Sequence, residues 1–274
     1  MAQPFVLDVL TLKVSALGEY DRLLTVLSAE RGIERLAVPG ARRPRSSLAA
    51  AAPLCRLLLQ VAEGRSLGRV RQLQVIRSYA ALGQRLETLA AAQWLAEVCL
   101  LLVPSGDSVE GVPQVLLFSW EQLLALADDQ ELGRECLAQT LQSTVHLLAW
   151  GGYGLPLDRC MLTGAPLDPP LGQWDWHCGF YPADGFAIGA TAGSLMGLNP
   201  SELALLQRLQ RERLPRRRNG VLMGPLTVWR RLLRLITAWL QEHLGQAPRS
   251  LSLLDAAATA EAGPTGWPGQ RPSD

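Results

Sequence analysis

The sequence predicts an α+β protein in which a small five-stranded β-barrel precedes a larger α-helical part. Three observations predict it. Apolar, β-branched runs separated by short turns fill residues 5–79. Leucine- and alanine-rich segments of helical length follow from residue 80. Charge divides at the same boundary: residues 1–78 hold Lys13 and eleven arginines against six acids, a balance of +6, whereas residues 79–274 hold fourteen bases and nineteen acids, or −5. The whole chain of 274 residues carries only +1, so the asymmetry rather than the total points to a polyanionic partner for the first part.

Phe5–Val14 is apolar and β-branched and reads as the first strand. Gly18-Glu19-Tyr20-Asp21 turns the chain into a second strand, Arg22–Ser28. Glu30-Arg31-Gly32 turns it again, and Ile33–Val38 alternates as a half-buried third strand. After a longer connection, Leu54–Ala62 gives the fourth strand, closed by Glu63-Gly64. The fifth, Arg69–Tyr79, places Arg69, Arg71 and Arg77 on one face by period-two spacing, together with Leu73 and Val75. Five short strands with the long connection after the third fit a closed barrel of the OB type, a fold that commonly holds single-stranded nucleic acid in a positively charged groove. Residues 1–79 are therefore expected to form one domain.

Residues 80–250 are expected to form a second, helical domain. Leu82–Leu102 reads as its central helix, Val115–Ala127 as the next and Leu132–Trp150 as a third, ended by Gly151-Gly152. Trp94, Trp120 and Trp150 are expected in the core of this bundle. Tyr153–Gly197 is rich in Gly, Pro and aromatics and reads as an irregular insert. Asn199-Pro200-Ser201-Glu202 supplies an N-cap, a first-turn proline and a third-position glutamate for a helix to about Arg213. A last amphipathic helix spans Leu226–Leu244 and stops at Gly245. Residues 251–274 are expected to be a disordered tail, on the Ala/Gly/Pro/Ser composition beyond Asp255.

The candidate binding residues converge on Gly40-Ala41-Arg42-Arg43-Pro44-Arg45, between the third and fourth strands. Pro44 fixes its own φ and biases Arg43 away from helix, so the guanidiniums of Arg42, Arg43 and Arg45 are expected to stand off an extended, exposed backbone. A guanidinium is a planar fork matched to phosphate oxygens. Lys13, Arg22 and Arg35 on adjoining strands extend the cationic surface. Aromatics are few in this domain (Phe5, Tyr20 and Tyr79), so charge carries more of the expected binding than base stacking. A second basic loop, Pro215–Gly220 with Arg216, Arg217 and Arg218, reads as a solvated connection in preference to a second phosphate contact.

Several classes are disfavoured. Lys13 is the sole lysine, so no phosphate loop of the Gly-x4-Gly-Lys type exists. With no zincin or Gly-x-Ser-x-Gly motif either, an enzyme is not expected. Leu82–Val103 is interrupted by Arg85, Glu87, Gln93 and Glu97 and is too polar to span a membrane. No secretory signal is evident, and five widely spaced cysteines make no disulfide framework, so a reducing cytoplasm is expected. Cys160, His177 and Cys178 are the only metal-ligand candidates in the insert. Three donors fall short of a structural zinc site unless Asp158, Asp175 or Asp184 joins them, and no cofactor is expected.

The ordered blocks Leu12-Lys13-Val14, Gly18-Glu19-Tyr20-Asp21-Arg22-Leu23, Glu30-Arg31-Gly32 and Gly40-Ala41-Arg42-Arg43-Pro44-Arg45-Ser46 resemble the N-terminal domain of the bacterial RecO family. Leu86-Glu87-Thr88-Leu89 and the cysteine-bearing insert before Asn199-Pro200-Ser201-Glu202 fit the same architecture more loosely. The resemblance covers about residues 5–245. It implies an OB-fold domain joined to a helical domain whose insert is a degenerate zinc-finger-like segment. It also implies binding of single- and double-stranded DNA and annealing of complementary strands. Contact with RecR and single-strand-binding protein, and help in loading RecA onto coated DNA in recombinational repair, are implied too. Zinc-holding members carry two Cys-x2-Cys pairs. Here Cys160 matches the first cysteine, Thr163 stands where the second would be, and Gly185–Gly193 lacks the other pair. The alternative is a protein-docking module with an idle basic loop.

Overall fold

Alternation along β4 (Cys55–Ala62), where every second residue is buried, sets the inside and outside of a closed barrel. The computed structural model describes residues 4–64, 67–126, 131–189 and 192–259. Its first five strands are β1 (Phe5–Leu17), β2 (Asp21–Ser28), β3 (Gly32–Val38), β4 and β5 (Gly68–Ser78), closed in the order β1-β2-β3-β5-β4. Every pairing is antiparallel except β3 with β5. Leu7, Val9, Leu24, Val26, Leu36, Leu57, Leu59 and Val61 fill the interior. The OB-type expectation is met.

Three irregularities shape the barrel. A bulge between Thr11 and Lys13 of β1 turns Leu12 toward the helices. Two more in the β4–β5 ladder insert Arg71 and Ile76 as extra residues. Each inserted residue reverses the phase of the strand beyond it. Arg69 and Arg77 therefore lie opposite Ala62 and Arg56, whereas Leu73 and Val75 lie opposite the buried Leu59 and Leu57. The single face expected for Arg69, Arg71, Leu73, Val75 and Arg77 does not exist.

The helical part is centred on α1 (Leu86–Leu102), which follows a short 3-10 turn at Ala80–Gln84. Arg85 is extended at φ −123° and breaks the expected Leu82–Leu102 helix, and Thr88 donates its hydroxyl back to the Leu82 carbonyl at 2.7 Å. α1 is buried on most sides, which removes the amphipathic stripe of a surface helix. It packs against α2 (Val112–Ala125) and α3 (Leu132–Trp150), with the Trp94 indole donating to Thr144 at 2.9 Å. α2 starts three residues earlier than expected because Pro113 suits a first helical turn. Trp94 and Trp120 are fully buried; Trp150 is 59% exposed, contrary to expectation, since it closes α3 at the bundle's edge.

The insert is less irregular than its composition implies. β6 (Cys178–Tyr181), β7 (Gly185–Ile188) and β8 (Met196–Leu198) form a small antiparallel sheet with β6 central. α4 (Pro200–Arg208) begins in a full capping box, with Glu202 N–H donating to Asn199 Oδ1 at 2.9 Å and Asn199 N–H to Glu202 Oε2 at 3.1 Å. It ends well before Arg213. α5 (Leu226–Leu244) has the expected bounds and stops at Gly245 with φ +77°.

Residues 251–259 of the expected tail are instead a helix, α6 (Leu251–Thr259), lying against α1 and α3. Glu97 accepts the backbone N–H and hydroxyl of Ser250 at 2.9 and 3.0 Å, which satisfies the start of α6. Arg230 grips Asp255 through two bonds of 2.6 Å and holds its carboxyl below the usual carboxylate range. The remainder of the expected tail, 260–274, lies outside the described residues.

Barrel and bundle share a core. Leu10, Leu12, Leu27 and Ile33 on the barrel's outer surface join the helical cluster. Gly32 allows a close approach: its φ is +58°, and a Cβ there would sit 2.6 Å from the carbonyl oxygens of Pro104 and Asp107. The Tyr79 hydroxyl donates to Glu121 at 2.6 Å and Arg77 bridges the same carboxylate at 2.6 Å; burial and this partner push the phenol up to about 12.

α6 should behave as part of the core. Leu254→Ala should lower the unfolding free energy by about 2–4 kcal/mol, visible as a reduced Tm; an unchanged Tm would show that α6 does not stabilise the bundle.

Candidate nucleic-acid interface

The connection from β3 to β4 is a lid on the barrel. Ala41, Ala51 and Leu48 pack into the barrel core from its open end. The backbone holds them there by a chain of turns, with Arg43 N–H donating to Gly40 at 3.0 Å, Ser46 to Arg43 at 3.3 Å and Ala51 to Leu48 at 3.2 Å. It is therefore folded rather than extended as expected. Gly40 at φ +66° and Arg45 at φ +60° reverse its direction. Pro44 and Arg45 occupy the centre of the Arg43–Ser46 turn, at positions that favour proline and glycine. Arg45 thus holds a glycine-like conformation, at a cost on the order of 1 kcal/mol.

Two anchors set the lid's position. Arg22 has the same phase as the inward-facing Leu24 and Val26 at the end of β2, and it donates to the carbonyls of Ala49 at 2.9 Å and Ala51 at 2.6 Å. Asp21 accepts the Gly40 N–H at 2.7 Å. Arg22, expected on the phosphate-binding surface, is instead a half-buried latch, because its register turns it into the barrel's mouth.

The other expected cations are exposed. Arg42 donates to the Gly18 carbonyl at 3.1 Å, and the Arg43 guanidinium stands 4.9 Å from the Tyr20 ring centroid, which orients both at the rim. Lys13 and Arg35 flank Thr25 in one register row across β1, β2 and β3, on the barrel's outer face. Arg69 lies beside Ala37 in the adjoining row. Its place here depends on the β3–β5 pairing, which the sequence pattern did not identify. Among the described residues, none of Lys13, Arg35, Arg42, Arg43, Arg45 and Arg69 has an acidic partner within salt-bridge distance. Such a rim-and-face surface can take an extended polyanion without first displacing a carboxylate.

The second basic loop is tied down. Arg216 reaches both oxygens of Glu135, at 2.8 and 2.6 Å, and the Gly220 carbonyl at 3.0 Å, so it joins the loop to α3. Arg217 and Arg218 remain exposed.

In the insert, Cys160 and Cys178 meet at Ile188, whose N–H donates to the Cys160 sulfur at 3.4 Å and whose backbone pairs with Cys178. Burial resists ionisation of Cys160, but the Thr163 hydroxyl and the N–H groups of Ile188, Thr163 and Leu162 hold its thiol down at about 7. Burial and the neighbouring Cys160 push Cys178 up to about 11. His177 is exposed, with Nδ1 3.1 Å from the Asp175 carbonyl. Among the described residues no three or more His, Cys, Asp or Glu side chains are grouped to hold a metal, so Asp158, Asp175 and Asp184 do not complete a set. Cys160, Cys178 and the exposed His177 offer three donors where a structural zinc takes four.

Exhaustive dialysis against EDTA should therefore leave the Tm unchanged. A fall of several degrees, restored by zinc, would show that a metal supports the insert.

No described helix is long and apolar enough to cross a membrane. Residues 3–79 match the family model described as recombination protein O N terminal, and residues 83–252 match recombination protein O C terminal. The DNA repair protein RecO of Prochlorococcus marinus (strain MIT 9303) is 56% identical over 252 residues, covering 92% of this chain and 94% of that one. The protein of that name from Synechococcus sp. (strain WH7803) is 55% identical over 263 residues, covering 93% and 97%. A third, from Synechococcus elongatus, is 33% identical over 266 residues, covering 94% and 97%. With both domains matched and identity carried along nearly its full length, the chain belongs to the RecO family of DNA repair and recombination proteins.

Proposed function

We propose that the barrel grips the phosphate backbone of single- and double-stranded DNA without reading bases. Arg42, Arg43 and Arg45 make the contacts at the rim, and Lys13, Arg35 and Arg69 make them on the outer face. Arg22 contributes by fixing the lid. The observation that carries this reading is the set of six exposed cations, unpaired with acids among the described residues, on one loop and the strands beside it. Arginine forks and a lysine of this kind bind phosphate strongly but carry no sequence information.

A surface that neutralises phosphates on two strands lowers the repulsion between them, and so favours annealing of complementary strands. The acidic helical part is the docking platform for RecR and single-strand-binding protein, through which the protein helps load RecA onto coated DNA. The charge division and the family membership support that assignment. Nothing in the site calls for bond-making chemistry: its cations bind and position.

Replacing Arg42, Arg43 and Arg45 with alanine should weaken oligonucleotide binding at low salt on the order of 10–100-fold and flatten the log–log salt dependence by roughly 2–3 units. Unchanged affinity and slope would move the function to protein docking alone.

A further inference from the structure

We propose that a cleft between α2 and α3 is a stacking site for an unpaired nucleobase, giving the protein a preference for single strands that its barrel alone does not supply. This rests on the reading of the chain as a DNA-binding protein. Single-strand binding combines phosphate contacts with aromatic faces on which bases stack. The barrel has few such faces left. Arg31 lies over the Phe5 ring at 4.1 Å, Arg43 over Tyr20 at 4.9 Å, and Tyr79 is 1% exposed.

The helical part offers what the barrel lacks. Phe118 of α2 is 55% exposed and Trp150 of α3 is 59% exposed, and both line one cleft of about 690 Å³. That volume is in the range of small-ligand sites, about 300–1,000 Å³. Gly111 backs the tryptophan: a Cβ there would fall 2.3 Å from Trp150 Cε3, so the indole lies directly on the backbone. An indole seated in this way is a firm platform.

The chemistry of the lining selects the base over the phosphate. Among the described residues Glu110 is its only acid, it contains no lysine or arginine, and the polar remainder consists of amides, hydroxyls and His146. A phosphate gains nothing there, whereas a neutral aromatic ring gains stacking area and hydrogen-bond partners. The cleft also continues from the barrel surface. Ala29, in the turn between β2 and β3, lines its edge, and Arg35 stands three residues along β3 from Gly32, roughly 10 Å at strand spacing. On this proposal a strand gripped on the barrel face crosses the turn at Ala29 and places an unpaired base in the cleft, and a duplex cannot do so without flipping one out.

The test uses the full chain with a labelled oligodeoxythymidylate and a duplex of equal length. Trp150→Ala and Phe118→Ala should each weaken single-strand binding about tenfold, with duplex affinity and salt slope unchanged. Trp150→Phe should retain most of the binding. In parallel, an oligonucleotide carrying 5-iododeoxyuridine should photo-cross-link to peptides containing Phe118 or Trp150. Full single-strand affinity in both alanine variants, or equal losses on both DNAs, would overturn the proposal, as would cross-links confined to the barrel. The cleft would then be a groove for a protein partner. Lost binding in the Arg42/Arg43/Arg45 variant, with Trp150→Ala intact, would remove this inference and leave the phosphate reading standing. The reverse pattern would do the opposite, and no binding by the unaltered protein would remove both.

Discussion

The candidate interface depends on Arg22. Its guanidinium, turned into the mouth of the barrel, holds the carbonyls of Ala49 and Ala51 and so pins a sixteen-residue connection that has no secondary structure of its own. A loop of that length would ordinarily sample many arrangements, and ordering it costs conformational entropy at every residue. Here the cost is offset by the latch, by Asp21 on the Gly40 N–H, and by the burial of Ala41, Leu48 and Ala51 over the barrel core. The consequence is a fixed rim. Arg42, Arg43 and Arg45 project from a backbone that is already in place when a ligand arrives, which reduces the ordering penalty on binding. Arg45 in a left-handed conformation marks the same economy: the turn's geometry is kept although the residue does not favour it.

A second constraint divides the barrel's outer face. Near the β2–β3 turn, Leu10, Leu27 and Ile33 are apolar and dock on the helices, with Gly32 allowing close contact. One step along the same strands, Lys13 and Arg35 are exposed on either side of the half-buried Thr25. The β1 bulge makes the division sharp, because it sends Leu12 toward the bundle while Lys13 keeps the outward phase. Tyr79, Glu121 and Arg77 close the junction on another side, taking up a cation and an acid that would otherwise blur the charge boundary. The positive barrel and negative bundle are thus joined by a shared apolar core, an arrangement that fits the proposed division between DNA and partner proteins.

Local pattern made the five strands and the long helices legible. The strands alternate or are β-branched, and Leu132–Trp150 and Leu226–Leu244 are bounded by glycines, so local physics and final structure agree there. The arginine rim was legible from residue type, and Lys13 and Arg35 from their place on strands. What escaped was non-local. The phase reversals in β5 depend on pairing with β4, and Arg22's inward turn depends on the barrel being closed. Trp150 looked like core because aromatics usually are; its exposure follows from ending α3 against Gly111 at the edge. α6 looked disordered from its Ala- and Ser-rich neighbourhood, yet Glu97 and Arg230, far away in sequence, supply its cap and its anchor. The insert's sheet was hidden by glycines.

Amide hydrogen exchange with and without a single-stranded oligonucleotide puts the phosphate-gripping barrel to its sharpest test, because it locates the contact without altering a residue. Slowed exchange across residues 39–51 and along the outer-face row of Lys13, Thr25 and Arg35 is the predicted result. Protection restricted to the helical domain, or none on the barrel at a DNA concentration that saturates binding, would contradict it.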